Sequence, residues 1–435
     1  MIERYEDKKI KKLWSDQNKF NEWFKAEMAV VQARVNFREI PPIILSRIEA
    51  RAKFTVERVK EIESKTHHDL ASFVQAVQES LDPDLRGFIH SGGVTSYDIE
   101  EPAMARIIIS SIEHVHDIIN MFLDTLKRKA VKYKNLIVIG RTHGQHAEPI
   151  SLGIRFLNYL DAVERASLKL EDAKLEMYSS KISGAVGVYG HGLTPELEQE
   201  ALSILGLKRA RIATQIIPRD RIANVLSAIA ILGATLENIA LDFRLSGLSE
   251  IHELQEPFSK GQKGSSVMPH KKNTINTEKV SGLSRLLRSY LTAALENIPT
   301  WFERDISHSS VERVILPDSF HTISHMIAVL DEVIEDMVVN EQDIERNLTS
   351  TMGTAITPEV KDLMIQYGTD PEIAYSVCQE LAFQAQKTKE CFLDLLEKDI
   401  RVPKEIKVEG LLDNLYEKRY HQVEYVNEIF ARFGI

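Results

Sequence analysis

Between residues 222 and 243 the apolar side chains Ile222, Val225, Ile229, Leu232, Leu236, Ile239 and Phe243 recur every three or four positions. That is the spacing of one helix face. The flanks are apolar too, through Ala223, Ala228, Ala230, Ile231 and Ala234. A helix more than ~30 Å long with so little polar circumference has almost no face to give to water. It demands cover on nearly all sides, in a bundle core or between subunits. Asn224, Glu237 and Asn238 interrupt the run, so it does not read as a membrane span.

A second series, Ile112, Val115, Ile119, Phe122, Leu126, Ala130 and Tyr133, has the same period. Helix starts are marked at Thr194-Pro195-Glu196, Thr357-Pro358-Glu359 and Asp370-Pro371-Glu372. Each offers an N-cap, a proline for the first turn and an acid on the dipole. Strand text is scarce. Leu136 to Ile139 suits a strand or an extended approach, and a helical run is expected from Pro149. The expectation is an all-α fold in three blocks, 1–110, 111–348 and 349–435, with the long helices in the middle block.

With 64 acidic and 54 basic residues the net charge is −10, which argues against nucleic acid as a general partner. The two cysteines, Cys378 and Cys391, sit in apolar helical text and read as reduced core residues. The N-terminus, MIERYEDKKIKKLW, has no apolar signal region. The expected compartment is the cytoplasm.

Against that acidic background one segment stands out. From Ser259 to Asn273 there are four lysines, at 260, 263, 271 and 272, with His270 and no acid. Gly261 and Gly264 free the backbone, and such a loop attracts a small polyanion and can close over it. It contains neither a Walker phosphate loop nor a hydrolase elbow. Three further clusters carry chemistry. GRTHGQHAEP, 140–149, holds His143 and His146 near Glu148, candidates for proton transfer near neutral pH. Thr66-His67-His68-Asp69 precedes His90-Ser91-Gly92-Gly93-Val94-Thr95-Ser96. WFERDISHSSVERVILPD, 301–318, offers Arg304, Arg313, Ser309 and Ser310, the guanidinium and hydroxyl set that a phosphate monoester asks for. The bland alternative for this last stretch is a helix end whose arginines pair with Glu303, Asp305 and Glu312.

Together these motifs resemble the fumarase/aspartase superfamily, through the loop GSSVMPHKKN, and within it the adenylosuccinate lyase family. The likeness rests also on Arg4-Tyr5, Thr66-x-His68-Asp69, Thr95-Ser96, Thr142-His143-Gly144, Gln215 before Arg219-Asp220, and Arg304 to Arg313. The resemblance implies a three-domain, mostly helical fold whose long helices build the core of a homotetramer. It implies active sites assembled from three subunits, and no cofactor or metal. The implied reaction is β-elimination from a succinylated purine nucleotide, adenylosuccinate to AMP and fumarate, and likewise SAICAR to AICAR and fumarate.

By motif position Ser265 is the base, with Lys271 and loop N–H groups to stabilise charge. His143 is the acid at the leaving nitrogen, Glu278 orients it, and His68 is a second histidine at the substrate. Arg4, Tyr5, Arg304, Ser309 and Arg313 match phosphate contacts. Thr95, Ser96, Gln215 and Asn273 match contacts to the succinyl part, and His67, Asp69, Ser266 and Lys272 complete the substrate-binding set. Departures are the extra residue after His90, Thr274 where the family has proline, and Glu101-Pro102 in place of Asp-Thr. Rival readings are a cycloisomerase-like member without nucleotide contacts, a metal hydrolase built on His67, His68, Asp69, His143 and His146, and a helical scaffold without activity.

Overall fold

A computed structural model describes residues 1–407, 411–421 and 423–435. Among them are seventeen α-helices and three two-stranded sheets. The five longest helices are α1 (Ser96–Lys132), α2 (Leu152–Met177), α3 (Asp220–Ser246), α4 (Ile275–Glu296) and α5 (Ser307–Glu335). The expected all-α class is what the chain adopts. Both periodic series are helix faces. Ile112, Val115, Ile119, Phe122, Leu126 and Ala130 are 0% exposed, and the seven stripe residues of α3 are at most 5% exposed.

The chain divides into two compact units, each discontinuous in sequence. One is Met1–Asn120, Glu164–Glu237 and Ser281–Ala328; the other is Met121–Val163, Asn238–Val280 and Val329–Ile435. The divisions fall inside all five long helices. The first unit is anchored by stacked and edge-on rings of Phe20, Trp23, Phe54 and Phe73, with centroids 5.2–5.8 Å apart. The second has an apolar core around Ile356, Val360, Met364 and Phe392, all 0% exposed.

Several local expectations need correction. The hairpin β1 (Ile137–Thr142) and β2 (Gln145–Ser151) is antiparallel. Pro149 therefore lies in a strand, opposite Ile139, and the helix waits until Leu152. Thr194 and Asp370 do cap their helices, accepting backbone N–H bonds from Leu197, and from Glu372 and Ile373. Thr357 does not, because the 3₁₀ turn Thr354–Ile356 runs straight into the next helix and leaves Thr357 as its first residue. Cys378 is buried, but Cys391 is a half-buried N-cap residue rather than a core helix position. The α3 helix is also not covered all round. Ile231 is 42%, Leu241 40% and Leu245 55% exposed. It is long and apolar enough to cross a membrane by length and composition alone, but most of it is buried within the chain.

Two prolines sit inside long helices, Pro102 in α1 and Pro317 in α5. Each removes the N–H that would meet the carbonyl four residues earlier, which here belongs to Asp98 and to Arg313. Both sit at the chemistry-bearing ends of their helices.

Candidate active site

The expected site residues fall into two groups, one in each unit. In the first unit, Asp69 opens the helix Asp69–Ser80 and His68 caps it, its Nδ1 accepting from Ala71 N at 3.3 Å. His67 ends the preceding helix at φ 55°, a left-handed conformation. Arg313 reaches from α5 to Asp69, Nη2 to Oδ2 at 2.6 Å, and donates from Nε to Ser309 Oγ at 3.4 Å. Burial alone would raise the Asp69 pKa, but the Arg313 hydrogen bond and charge outweigh it and hold the carboxyl below its usual range.

Arg304 donates to Gln215 Oε1 at 3.0 Å and lies 3.8 Å from the Tyr97 ring centroid, a cation–π stack. Tyr97 also meets His308 Nε2 at 3.2 Å. Neither arginine pairs with an acid of its own segment. Glu312 turns instead to Arg219, at 3.2 Å, and Asp305 accepts the backbone N–H groups of Trp301 and Ser307. The salt-bridged helix end is therefore not what forms. Arg4 is exposed, while Tyr5 packs its ring against His325 with centroids 5.1 Å apart.

A cavity of about 250 Å³ in this unit is lined by Trp14, Trp23, Tyr97, Glu100, Ser309 and Arg313, among others. Its walls hold groups far from their ordinary protonation. Burial, reinforced by the Asp69 charge, pushes Glu100 up to about 8. Burial pushes Glu312 up to about 7 against the pull of Arg219. Behind the wall residue Tyr97, which it meets through Nε2, His308 is driven down to about 4 by burial, with Arg219 and Arg304 nearby.

The extra residue after His90 has a structural account here. His90 sits at φ 53°, and Glu27, 1% exposed, accepts both its backbone N–H at 2.9 Å and its Nδ1–H at 2.8 Å. Burial disfavours the imidazolium, but Glu27 outweighs it and raises the His90 pKa. The longer loop is thus tied down through this histidine. Thr95 precedes α1, and both its N–H and its hydroxyl bond to Asp98 Oδ2, at 2.7 and 2.9 Å. Ser96 is the first residue of α1, and its hydroxyl has no partner among the described residues.

In the second unit His143 and Gly144 form the two-residue turn of the β1–β2 hairpin, with φ of 53° and 74°. Two positive φ values are the type I′ pattern that matches strand twist. The turn projects His143 into solvent. His146 lies opposite Arg141, and burial together with the Arg141 charge lowers its pKa.

The basic loop is exposed but its neck is pinned. Asn273 Nδ2 donates to Gly264 O at 2.8 Å. A Cβ on Gly264 would lie 2.0 Å from Lys271 O, so only glycine allows this closure. Ser265 Oγ accepts from the backbone N–H groups of Val267 at 3.3 Å and Met268 at 3.0 Å. Lys272 Nζ lies 5.7 Å from the Phe258 ring centroid, while Ser266 and Lys271 are exposed. Thr274, in place of proline, donates its hydroxyl to Glu278 at 3.2 Å, and Glu256 accepts the N–H groups of Asn276 and Thr277. Among the described residues no hydrogen bond or ion pair joins His143 to Glu278 or Ser265 to Lys271. Among the described residues no group of three or more His, Cys, Asp or Glu is arranged to hold a metal ion.

Sequence reasoning passed over Asp98, Tyr97 and Lys181. Thr-x-x-Asp ahead of an apolar run is a capping signal that could have flagged Asp98. Lys181, fully buried and 2.6 Å from Asp98, has no local signal at all.

The family described as Lyase matches residues 2–287. An adenylosuccinate lyase of Thermotoga maritima is 40% identical over 433 residues, covering 100% of this chain and 99% of its own. Among solved structures, a fumarate lyase from Mesorhizobium sp. BNC1 matches with a TM-score of 0.89 at 20% identity, covering 99% of both chains. A 3-carboxy-cis,cis-muconate lactonizing enzyme from Pseudomonas putida matches at 0.87 and 22%, covering 98% of this chain and 96% of that one.

Proposed function

The chain belongs to the lyase family, and from that membership we propose that it cleaves adenylosuccinate to AMP and fumarate by general acid–base β-elimination. The observation that carries this reading is the 40% identity, over the whole of both chains, with a curated adenylosuccinate lyase. SAICAR, with the same succinyl group, is the second substrate. AMP, AICAR and fumarate are small molecules, so neither nucleic acid nor membrane enters the reading, and we place the enzyme in the cytoplasm. The three sequence segments 1–110, 111–348 and 349–435 are kept as its domains.

The reaction removes a proton from a carbon beside a carboxylate, so a second negative charge builds there. Ser265 is the base in this scheme. A hydroxyl serves so only if its alkoxide is stabilised, and the amides of Val267 and Met268 already aim at its oxygen. Lys271 adds a positive charge at the carboxylate. His143 protonates the leaving nitrogen, oriented by Glu278, and His68 assists at the substrate. Arg4, Tyr5, Arg304, Ser309 and Arg313 hold the phosphate. His67, Asp69, Thr95, Ser96, Gln215, Ser266, Lys272 and Asn273 complete the pocket. In this reading the site is completed between chains, which fits the lack of a bond between His143 and Glu278 within one chain. A homotetramer joined along the exposed Ile231, Leu241 and Leu245 of α3 supplies that.

AMP binding tests the reading. Saturating AMP is expected to raise the thermal unfolding temperature. A cycloisomerase of the same fold, with no nucleotide to hold, predicts no shift.

A further inference from the structure

Asp98 and Lys181 form an ion pair at 2.6 Å with both side chains 0% exposed. Removing two charges from water is costly unless every lone pair and proton finds a partner. Here every one does. The Asp98 carboxylate accepts from Thr95 N and Oγ1 on one oxygen. On the other it accepts from Ser183 N at 2.9 Å, Gly184 N at 3.1 Å and Lys181 Nζ. The three ammonium hydrogens of Lys181 have three acceptors: Asp98, Gly184 O at 2.9 Å and Gln215 O at 3.1 Å.

The endpoints of this network matter. It ties the segment carrying Thr95 to the segment carrying Gln215, whose side chain in turn receives Arg304. It also fixes what Thr95 can do. A hydroxyl has one hydrogen, and that of Thr95 goes to Asp98, so only lone pairs remain to face a ligand. Ser96, beside it, keeps its hydrogen.

We propose that the buried Asp98–Lys181 pair is a positioning device for the elimination. It sets Thr95 and Gln215 in place and makes Thr95 an acceptor, leaving Ser96 as the hydroxyl that donates to a substrate carboxylate. The proposal rests on the reaction assigned above.

The test compares the full-length protein with Asp98→Asn, Lys181→Met and the double variant, measuring kcat and KM for adenylosuccinate well below each unfolding midpoint. The double variant carries no unpaired charge, which keeps the comparison available if either single variant fails to fold. The expected result is a folded double variant whose kcat/KM falls ~10²-fold, the scale of a misplaced contact. Unchanged constants would overturn the positioning role. In parallel, Ser96→Ala is expected to raise KM at least ~10-fold, the loss of a charge-assisted hydrogen bond. Thr95→Val raising KM as much as Ser96→Ala would overturn the division between the two hydroxyls. Absence of cleavage by the unsubstituted protein would instead remove the reaction on which the proposal rests.

Discussion

Ser265 concentrates the chemical question in one atom. Its oxygen receives two amide N–H groups from its own loop, the arrangement an alkoxide needs. Ser265→Ala and His143→Ala are each expected to lower kcat at least ~10²-fold with substrate still bound. Steady-state kinetics checks both, and retained turnover in either shows that role to be misassigned. Both roles are proposals drawn from local motifs, a Gly-Ser-Ser loop and a Thr-His-Gly turn. Asp98 and Lys181 were not legible in this way, because their meaning lies in a pairing across 83 positions, from 98 to 181. Glu100 carries a pH prediction. Its pKa rises from 4.5 to about 8 on folding, so between those values the folded state holds a proton that the unfolded chain has released. Its contribution is full below pH 4.5 and is lost as pH rises toward 8. Glu100→Gln cannot ionise, so its unfolding midpoint should gain on that of the unsubstituted protein across this window. Parallel profiles would contradict the assignment.

At the scale of elements, the basic loop works because its neck is closed. A side chain at Gly264 would strike the Lys271 carbonyl, so Gly264→Ala must open the neck and displace Ser265. Activity is expected to fall more than ~10-fold through that displacement. The unfolding midpoint should move little, since the loop is exposed. Circular dichroism melts and kinetics on the same sample decide between this and general destabilisation. Two of the five long helices, α1 and α3, were readable from the 3.6-residue period, which marked their buried faces. The second strand of the hairpin was not. Gln145 to Ser151 has no alternation of polar and apolar residues, and only the left-handed turn at His143 and Gly144 folds it back on the first. The caps at Thr194 and Asp370 followed from local chemistry, whereas Thr357 was displaced by a 3₁₀ turn that the sequence does not announce.

At the scale of the whole molecule, the apolar character of α3 has been only partly spent. Its inner stripe is covered, while Ile231, Leu241 and Leu245 remain exposed at helical spacing. Those positions are expected to close a subunit interface. Ile231→Lys with Leu241→Lys should dissociate the proposed assembly in sedimentation analysis and abolish turnover together, because the proposal has each site completed by neighbouring chains. Full activity in a monomer would refute the shared site. The central claim is tested most directly by adding adenylosuccinate to the purified protein and following its ultraviolet absorbance, with the products separated afterwards. The account predicts AMP and fumarate in equal amounts, with a rate proportional to enzyme. Intact substrate, under conditions where AMP still binds, would contradict it.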